Sequence, residues 1–244
     1  MSLVPVRRTL AAGAVAVAVA AMVCAPVAGA QTRTRPQFGA LLGASLATIS
    51  DADFAGEAGF EGGTAEAKRR IGFQIGAYLT HPLSAKVSLQ PELHYIQKGT
   101  KAQATVTDIE GVGPLRGEVA LRFAHLEVPL LLRVDMDGQT LRPFLVAGPS
   151  VAYRVSCTIQ VSFEGLSLGT ACGEDDGDPE TTDDPFKKYD VGGIVGLGVA
   201  GTAAGRSVSA QVRYSRGLVS IARESLDGVS PKNTGISILF GIGF

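Results

Sequence analysis

The segment Thr234 to Phe244, T-G-I-S-I-L-F-G-I-G-F, decides how the rest of the sequence is read. Ile236, Ile238, Phe240, Ile242 and Phe244 share one parity, and Gly235, Ser237, Gly241 and Gly243 share the other. This is the two-residue period of a strand with unlike faces. One face is apolar and the other small, which suits a closing strand with lipid on one side and a narrow lumen on the other. A core strand of a soluble sandwich is the alternative, and the remaining segments decide against it when read in the same way.

Residues 1–30 read as a secretory signal. Arg7 and Arg8 supply the charged start, Leu10 to Val23 the apolar run, and Ala28-Gly29-Ala30 a small-residue cleavage site. The mature domain is then expected to be 31–244, and Cys24, preceded by Val23, does not fit a lipoprotein signal. Loss of Arg7 and Arg8 takes the formal charge from −1 to −3. Nothing in that balance points to nucleic acid. No apolar run after the signal approaches the roughly 18 residues of a membrane helix, so any crossing must use strands. The 31 Gly, 12 Pro and absence of Trp fit thin strands and tight turns better than a helical domain. Cys157 and Cys172 remain after processing, an even count in an exported chain, and are expected to form a disulfide closing a short hairpin loop.

Along the chain, alternation recurs. Phe38 to Ile49 places Phe38, Ala40, Leu42, Ala44 and Leu46 outward, and a polar loop is expected over about Ser50 to Arg69. Ile71, Phe73, Ile75, Ala77 and Leu79 alternate with Gly72, Gln74, Gly76, Tyr78 and Thr80. In the strand that begins at Lys86, Val87, Leu89, Leu93 and Tyr95 oppose Ser88, Gln90, Glu92 and His94. That hairpin is expected to project beyond the bilayer, wet on both faces in its outer part. Leu126, Val128, Leu130 and Leu132 then oppose His125, Glu127, Leu131 and Arg133. Val119, Leu121 and Phe123 carry the wrong parity for this register. Either a bulge lies near Ala124 or that portion stands above the lipid. Asp137-Gly138 reads as a tight turn, followed by a strand with Arg142, Ser150 and Arg154 inward. Beyond Cys157 an irregular stretch contains Glu174 to Asp184, in which seven of eleven residues are acidic. Two more alternating segments, with Val191, Val195, Leu197 and Val199 and then Val208, Ala210, Val212 and Tyr214 outward, precede the closing strand.

These segments predict an all-β fold: an eight-stranded antiparallel up-and-down transmembrane β-barrel. Its connections alternate long and short, which places both mature ends in the periplasm if the long loops face the cell exterior. Secretory signal and strands together point to an outer membrane.

Five stretches in order carry a resemblance: L-Q-P-E-L-H-Y-I-Q-K-G at Leu89 to Gly99, L-E-V-P-L-L-L-R at Leu126 to Arg133, R-P-F-L-V-A-G-P-S at Arg142 to Ser150, V-R-Y-S-R-G-L-V-S-I at Val212 to Ile221, and the closing strand. Together they resemble the PorT-type outer-membrane barrel family, over essentially the whole mature chain. The resemblance implies the barrel and its membrane, and little about activity. It also implies that the barrel assembly machinery reads the terminal aromatic strand with Phe240 and Phe244.

Glu92, His94, Glu127, Arg133, Arg142, Arg154, Asp190 and Arg213 all fall on lumen parity. An eight-stranded barrel is just wide enough to be filled by such side chains, so a polar network plugging the lumen is expected. Within it Glu92, Glu127, Arg142 and Arg213 are expected at overlapping depths. A hydrolase would need His94 or His125 beside a Ser, and no nucleophile motif accompanies either, so a non-enzymatic chain is expected. The acidic run lacks the residue order of a calcium loop and reads as solvated charge. No cofactor or metal is implied. The sequence therefore reads as a monomeric barrel whose partners are outer-membrane lipid, the assembly machinery and an extracellular ligand or protein met by its loops. A narrow pore for small solutes is the alternative, and a barrel lipid hydrolase a more distant one.

Overall fold

A computed structural model describes residues 36–50, 63–106, 115–163, 166–172, 186–222 and 231–244. The expected signal segment and the acidic run lie outside these residues. Nine strands are present among them: β1 (Gln37–Ser50), β2 (Gly63–Pro82), β3 (Val87–Val106), β4 (Leu115–Asp135), β5 (Arg142–Phe163), β6 (Leu166–Ala171), β7 (Tyr189–Ala203), β8 (Arg206–Gly217) and β9 (Lys232–Gly243). Each pairs antiparallel with its neighbours, in the order β1-β2-β3-β4-β5-β7-β8-β9, and β9 returns to β1. Eight strands thus close the wall of an up-and-down barrel. The short β6 pairs with the far end of β5, beyond the ring.

The wall follows the alternation. Leu42, Ile71, Val195 and Leu197 are 59%, 70%, 54% and 63% exposed, while Leu41, Gln74 and Ile194 on the opposite parity are buried. A continuous apolar outer surface of this kind is not tolerated in water, and it matches the lipid-facing band of a membrane barrel. One register row carries Tyr95, Leu126, Tyr153 and Tyr189 on four neighbouring strands. The Tyr153 and Tyr189 rings meet at 5.2 Å, and Phe73 meets Tyr95 at 5.4 Å. Such a girdle marks a bilayer–water boundary.

Short connections lie at one end of the barrel. Between β7 and β8, Ala204 and Gly205 both have positive φ, 49° and 74°, as a two-residue turn of the primed type requires. Between β2 and β3 the Ser84 hydroxyl accepts from the Val87 amide at 3.1 Å. The connection at Asp137-Gly138 is longer than a tight turn, because β4 stops at Asp135 and β5 starts at Arg142.

The opposite end answers three of the sequence expectations. Residues 63–69, expected as loop, continue β2 and pair with the upper part of β3. Residues 158–163 and 166–171 form the β5–β6 hairpin expected between the two cysteines, tied at its base by the Cys157–Cys172 disulfide with Cα atoms 5.3 Å apart. The register near Ala124 is also resolved. Ala124 pairs with Ser156 and His125 with Arg154, so the extra residue is Val155 on β5, while β4 stays in step with β3. Leu121 and Phe123 therefore keep the inward parity of His125. They pack with Ile49 and Ile221, against Cys157, Ile159, Cys172 and Phe186, as an apolar cap at the lumen mouth. The outer part of this wall is not wet on both faces.

Candidate functional site

The barrel interior collects the polar and charged side chains in layers. At the short-turn end the layer is apolar: Leu131, Phe144, Val146, Ile194 and Ala200 form one buried cluster, and Leu41, Tyr78 and Leu239 another. Arg133 is buried there. Its guanidinium lies 3.6 Å from the Phe144 ring centroid and donates to the Asp135 carboxylate at 2.7 Å. Arg142, half-buried, stands at this same end in register with Ala200.

The next layer is a buried ion pair. Arg213 on β8 donates Nη1 to Glu92 Oε2 at 2.6 Å and Nη2 to Oε1 at 2.8 Å. β3, which carries Glu92, lies halfway round the ring from β8, so this two-pronged contact spans the lumen and ties opposite walls. Both carboxylate oxygens have a further partner. Gln90 Nε2 donates to Oε1 at 2.5 Å, and His94 Nε2 contacts Oε2 at 2.5 Å. Arg213 Nε also donates to Gln211 Oε1 at 3.0 Å. Gly76 makes room for the imidazole, since a Cβ there would fall 2.2 Å from His94 Nδ1. Alternation explains the cluster: Gln90, Glu92 and His94 are every second residue of β3, and Gln211 and Arg213 every second residue of β8.

Nearer the long-loop end, Lys98 Nζ lies 3.2 Å from Glu127 Oε2, and the Ser150 hydroxyl bonds to the same carboxylate. Asn233 Nδ2 donates to Asp190 Oδ2 at 2.8 Å. Lys98, Glu127, Ser150, Asp190 and Asn233, with Ser215, line a cavity of about 10 Å³, the scale of a single water. Arg154 closes this layer. Its Nη2 donates to the Phe186 carbonyl at 3.2 Å, and its guanidinium sits 5.8 Å from the Phe123 ring centroid.

The eight candidate residues thus separate by level. Glu92, His94 and Arg213 come together, Glu127 and Asp190 line the cavity above them, Arg154 lies near the mouth, and Arg133 and Arg142 at the short-turn end. Of the four residues expected at overlapping depths, Glu92 and Arg213 bond to each other, Glu127 stands in register with His94, and Arg142 is in register with Ala200 at the short-turn end. The ion partner of Glu127 is Lys98, which sequence reasoning passed over although it shares the parity of Glu92 and His94. Gln90 and Gln211 fall on lumen parity but were not taken as site residues, and Asn233 was missed. Among the described residues no group of three His, Cys, Asp or Glu side chains could hold a metal ion.

Closed ring, lipid-facing belt and polar interior agree with sequence comparison. Residues 30–223 match the family described as outer membrane protein beta-barrel domain. The chain belongs to this family. It is an outer-membrane β-barrel, and among curated proteins none matches its sequence. Solved structures similar to the barrel include three outer-membrane proteins. Ail, the attachment invasion locus protein of Yersinia pestis, solved with the heparin analogue sucrose octasulfate, is 10% identical, with a TM-score of 0.34 over 86% of this chain and 100% of that one. The outer membrane protein OprG of Pseudomonas aeruginosa is 16% identical, with a TM-score of 0.35 over 86% and 94%. The outer membrane enzyme PagL is 10% identical, with a TM-score of 0.37 over 82% and 97%. At these scores the likenesses carry no functional argument.

Proposed function

We propose that this barrel is a non-enzymatic, monomeric, PorT-type member of its family that acts as a binding or envelope-structural protein through its long-loop end, with its lumen plugged. The observation that carries the reading is the Glu92–Arg213 fork across the lumen, bracketed by apolar layers at the short-turn end and at the mouth. Side chains that tie opposite walls leave the work to the outside of the barrel. The β5–β6 hairpin supports this, because it rises past the ring and is fixed by a disulfide. The PorT-type assignment rests on the five ordered sequence stretches. A non-catalytic interior is supported by His94, whose Nε2 is engaged by Glu92, and no serine hydroxyl bonds to His94 or His125 among the described residues. In this reading the long-loop end faces the cell exterior and both mature ends lie in the periplasm. The partners are outer-membrane lipid, the assembly machinery that takes up the Phe240 to Phe244 strand, and an extracellular ligand or protein.

The narrow-pore reading is favoured by one observation, the polar cavity around Glu127 and Asp190. Planar-bilayer recording of the purified protein separates the two. The expected result is a silent bilayer, or rare small openings. Steady conductance whose ion selectivity changes on Arg213→Gln would overturn the plugged reading.

A further inference from the structure

Beyond the Tyr95–Leu126–Tyr153–Tyr189 row the outer face of β4 carries a cation. Arg122 on β4 is exposed and shares the outward parity of Leu126 and Val128. It stands opposite Gly99 on β3. Gly99 has φ +144°, and a Cβ there would come within 2.0 Å of the Leu121 carbonyl oxygen, so the position takes glycine alone. On the far side of β3, Arg70 donates Nη1 to the Lys98 carbonyl at 3.1 Å. Lys98 adjoins Gly99, so the Arg70 guanidinium comes to the same point of β3 that Arg122 stands opposite, and the charge of Arg122 weighs against that of Arg70. Two cations are thus held together across a strand that puts no side chain between them. Lys101, two places beyond Gly99, is in register with Lys68 and reaches Glu118 at 2.7 Å. Among the described residues no carboxylate bonds to Arg70 or Arg122.

Like charges so placed destabilise a sheet unless an anion lies between them. Guanidinium forks match phosphate oxygens in shape and charge. The position of the pair identifies the source of that phosphate. Below it the wall is Ile71 and Leu126, 70% and 42% exposed, which is surface for acyl chains. Polar headgroups occupy the level just past an aromatic girdle. We propose that Arg70 and Arg122 clamp a phosphate group of a membrane lipid headgroup at the long-loop rim, with Lys101 beside them. An amphiphile satisfies both halves of this surface, whereas a free anion satisfies only the upper one. That the lipid is the phosphorylated glycolipid of the outer leaflet rests on the orientation proposed above.

The test is native mass spectrometry of the full mature barrel in detergent with bisphosphorylated lipid A, with the same lipid stripped of phosphate, and with inorganic phosphate. Wild type is expected to retain lipid A about tenfold better than the Arg70→Gln/Arg122→Gln variant, and to lose that margin with the stripped lipid. Equal retention by wild type and variant overturns the clamp. Inorganic phosphate that displaces lipid A at comparable concentration overturns the lipid as its occupant. Heat-dependent gel mobility checks that the variant has folded, and Arg122→Gln alone, at an exposed position, serves if the double variant does not assemble. Orientation is read separately, by labelling Ser167→Cys with an impermeant maleimide in intact and then permeabilised cells. Labelling only after permeabilisation refutes the proposed orientation, and moves the clamp to inner-leaflet phospholipid without removing it.

Discussion

Two parts of the same wall follow opposite rules. Below the row of Tyr95, Leu126, Tyr153 and Tyr189, β4 shows Leu126, Val128, Leu130 and Leu132 to the outside and Glu127 and Arg133 to the lumen. Above it, the same strand shows Arg122 to the outside and packs Leu121 and Phe123 inward. Parity on β4 runs unbroken through the change, since its pairing with β3 stays in step from Leu121 to His125. The inversion is therefore chemical and marks where the surrounding medium changes from hydrocarbon to water. Alternation reveals that a strand has two faces. Which residue class occupies each face reveals what those faces touch.

The largest effect should come from the interior below the row. Glu92→Gln leaves the Arg213 guanidinium buried without its charge partner and should cost about 3–5 kcal/mol in reversible urea unfolding from lipid vesicles. Replacing both partners with apolar residues, Glu92→Met with Arg213→Leu, should recover most of that loss. Persistence of the full loss in the double variant would mean that the fork does more than balance charge. Next comes a matched pair on the outer surface. Leu130→Arg, on the lipid face, should cost about 2–4 kcal/mol in the same assay. Leu168→Arg, 80% exposed on β6, should stay within about 0.5 kcal/mol. Equal costs would erase the boundary drawn at the tyrosine row. The smallest effect on the barrel is expected from Cys157→Ser with Cys172→Ser. The bond closes a 15-residue separation, for which chain entropy gives about 3 kcal/mol. That stabilisation should fall on the hairpin, seen as faster protease cleavage there, while the unfolding midpoint of the barrel stays unchanged.

The barrel itself was legible because every spanning segment must repeat the same two-residue code, and Ile236 to Phe244 states it openly. The upper wall was harder to read. Its strand residues at 63–69 are small or polar, having no lipid to face, and sequence alone gives such a segment no reason to be strand instead of loop. Leu121 and Phe123 looked misplaced only against a lipid-facing outside: their inward packing supports the alternative that this portion stands above the lipid. The extra residue proved to be Val155, on the neighbouring strand, and a partner's bulge leaves no mark on the sequence around Ala124. In the lumen, parity found the charged residues but not their pairing. Which level each occupies depends on strand stagger, so Glu92 meeting Arg213 across the ring, and Glu127 meeting Lys98, could not be read from alternation.

The seam between β1 and β9 has a consequence for how the molecule is made. Gly39 pairs with Gly243 and Thr48 with Thr234, so the strand delivered earliest waits for the one delivered last. Until β9 arrives, one edge of β1 is bare, and Phe38 to Ile49 contains no charged residue or proline to discourage another chain from adding to it. Uncharged, alternating segments with an open edge are the ones that recruit copies of themselves. Contacts this distant in sequence also form slowly. The hazardous interval for this protein is thus the time between the emergence of β1 and the arrival of β9, and an escort that masks the β1 edge during that interval would protect the chain more than one acting at any later stage.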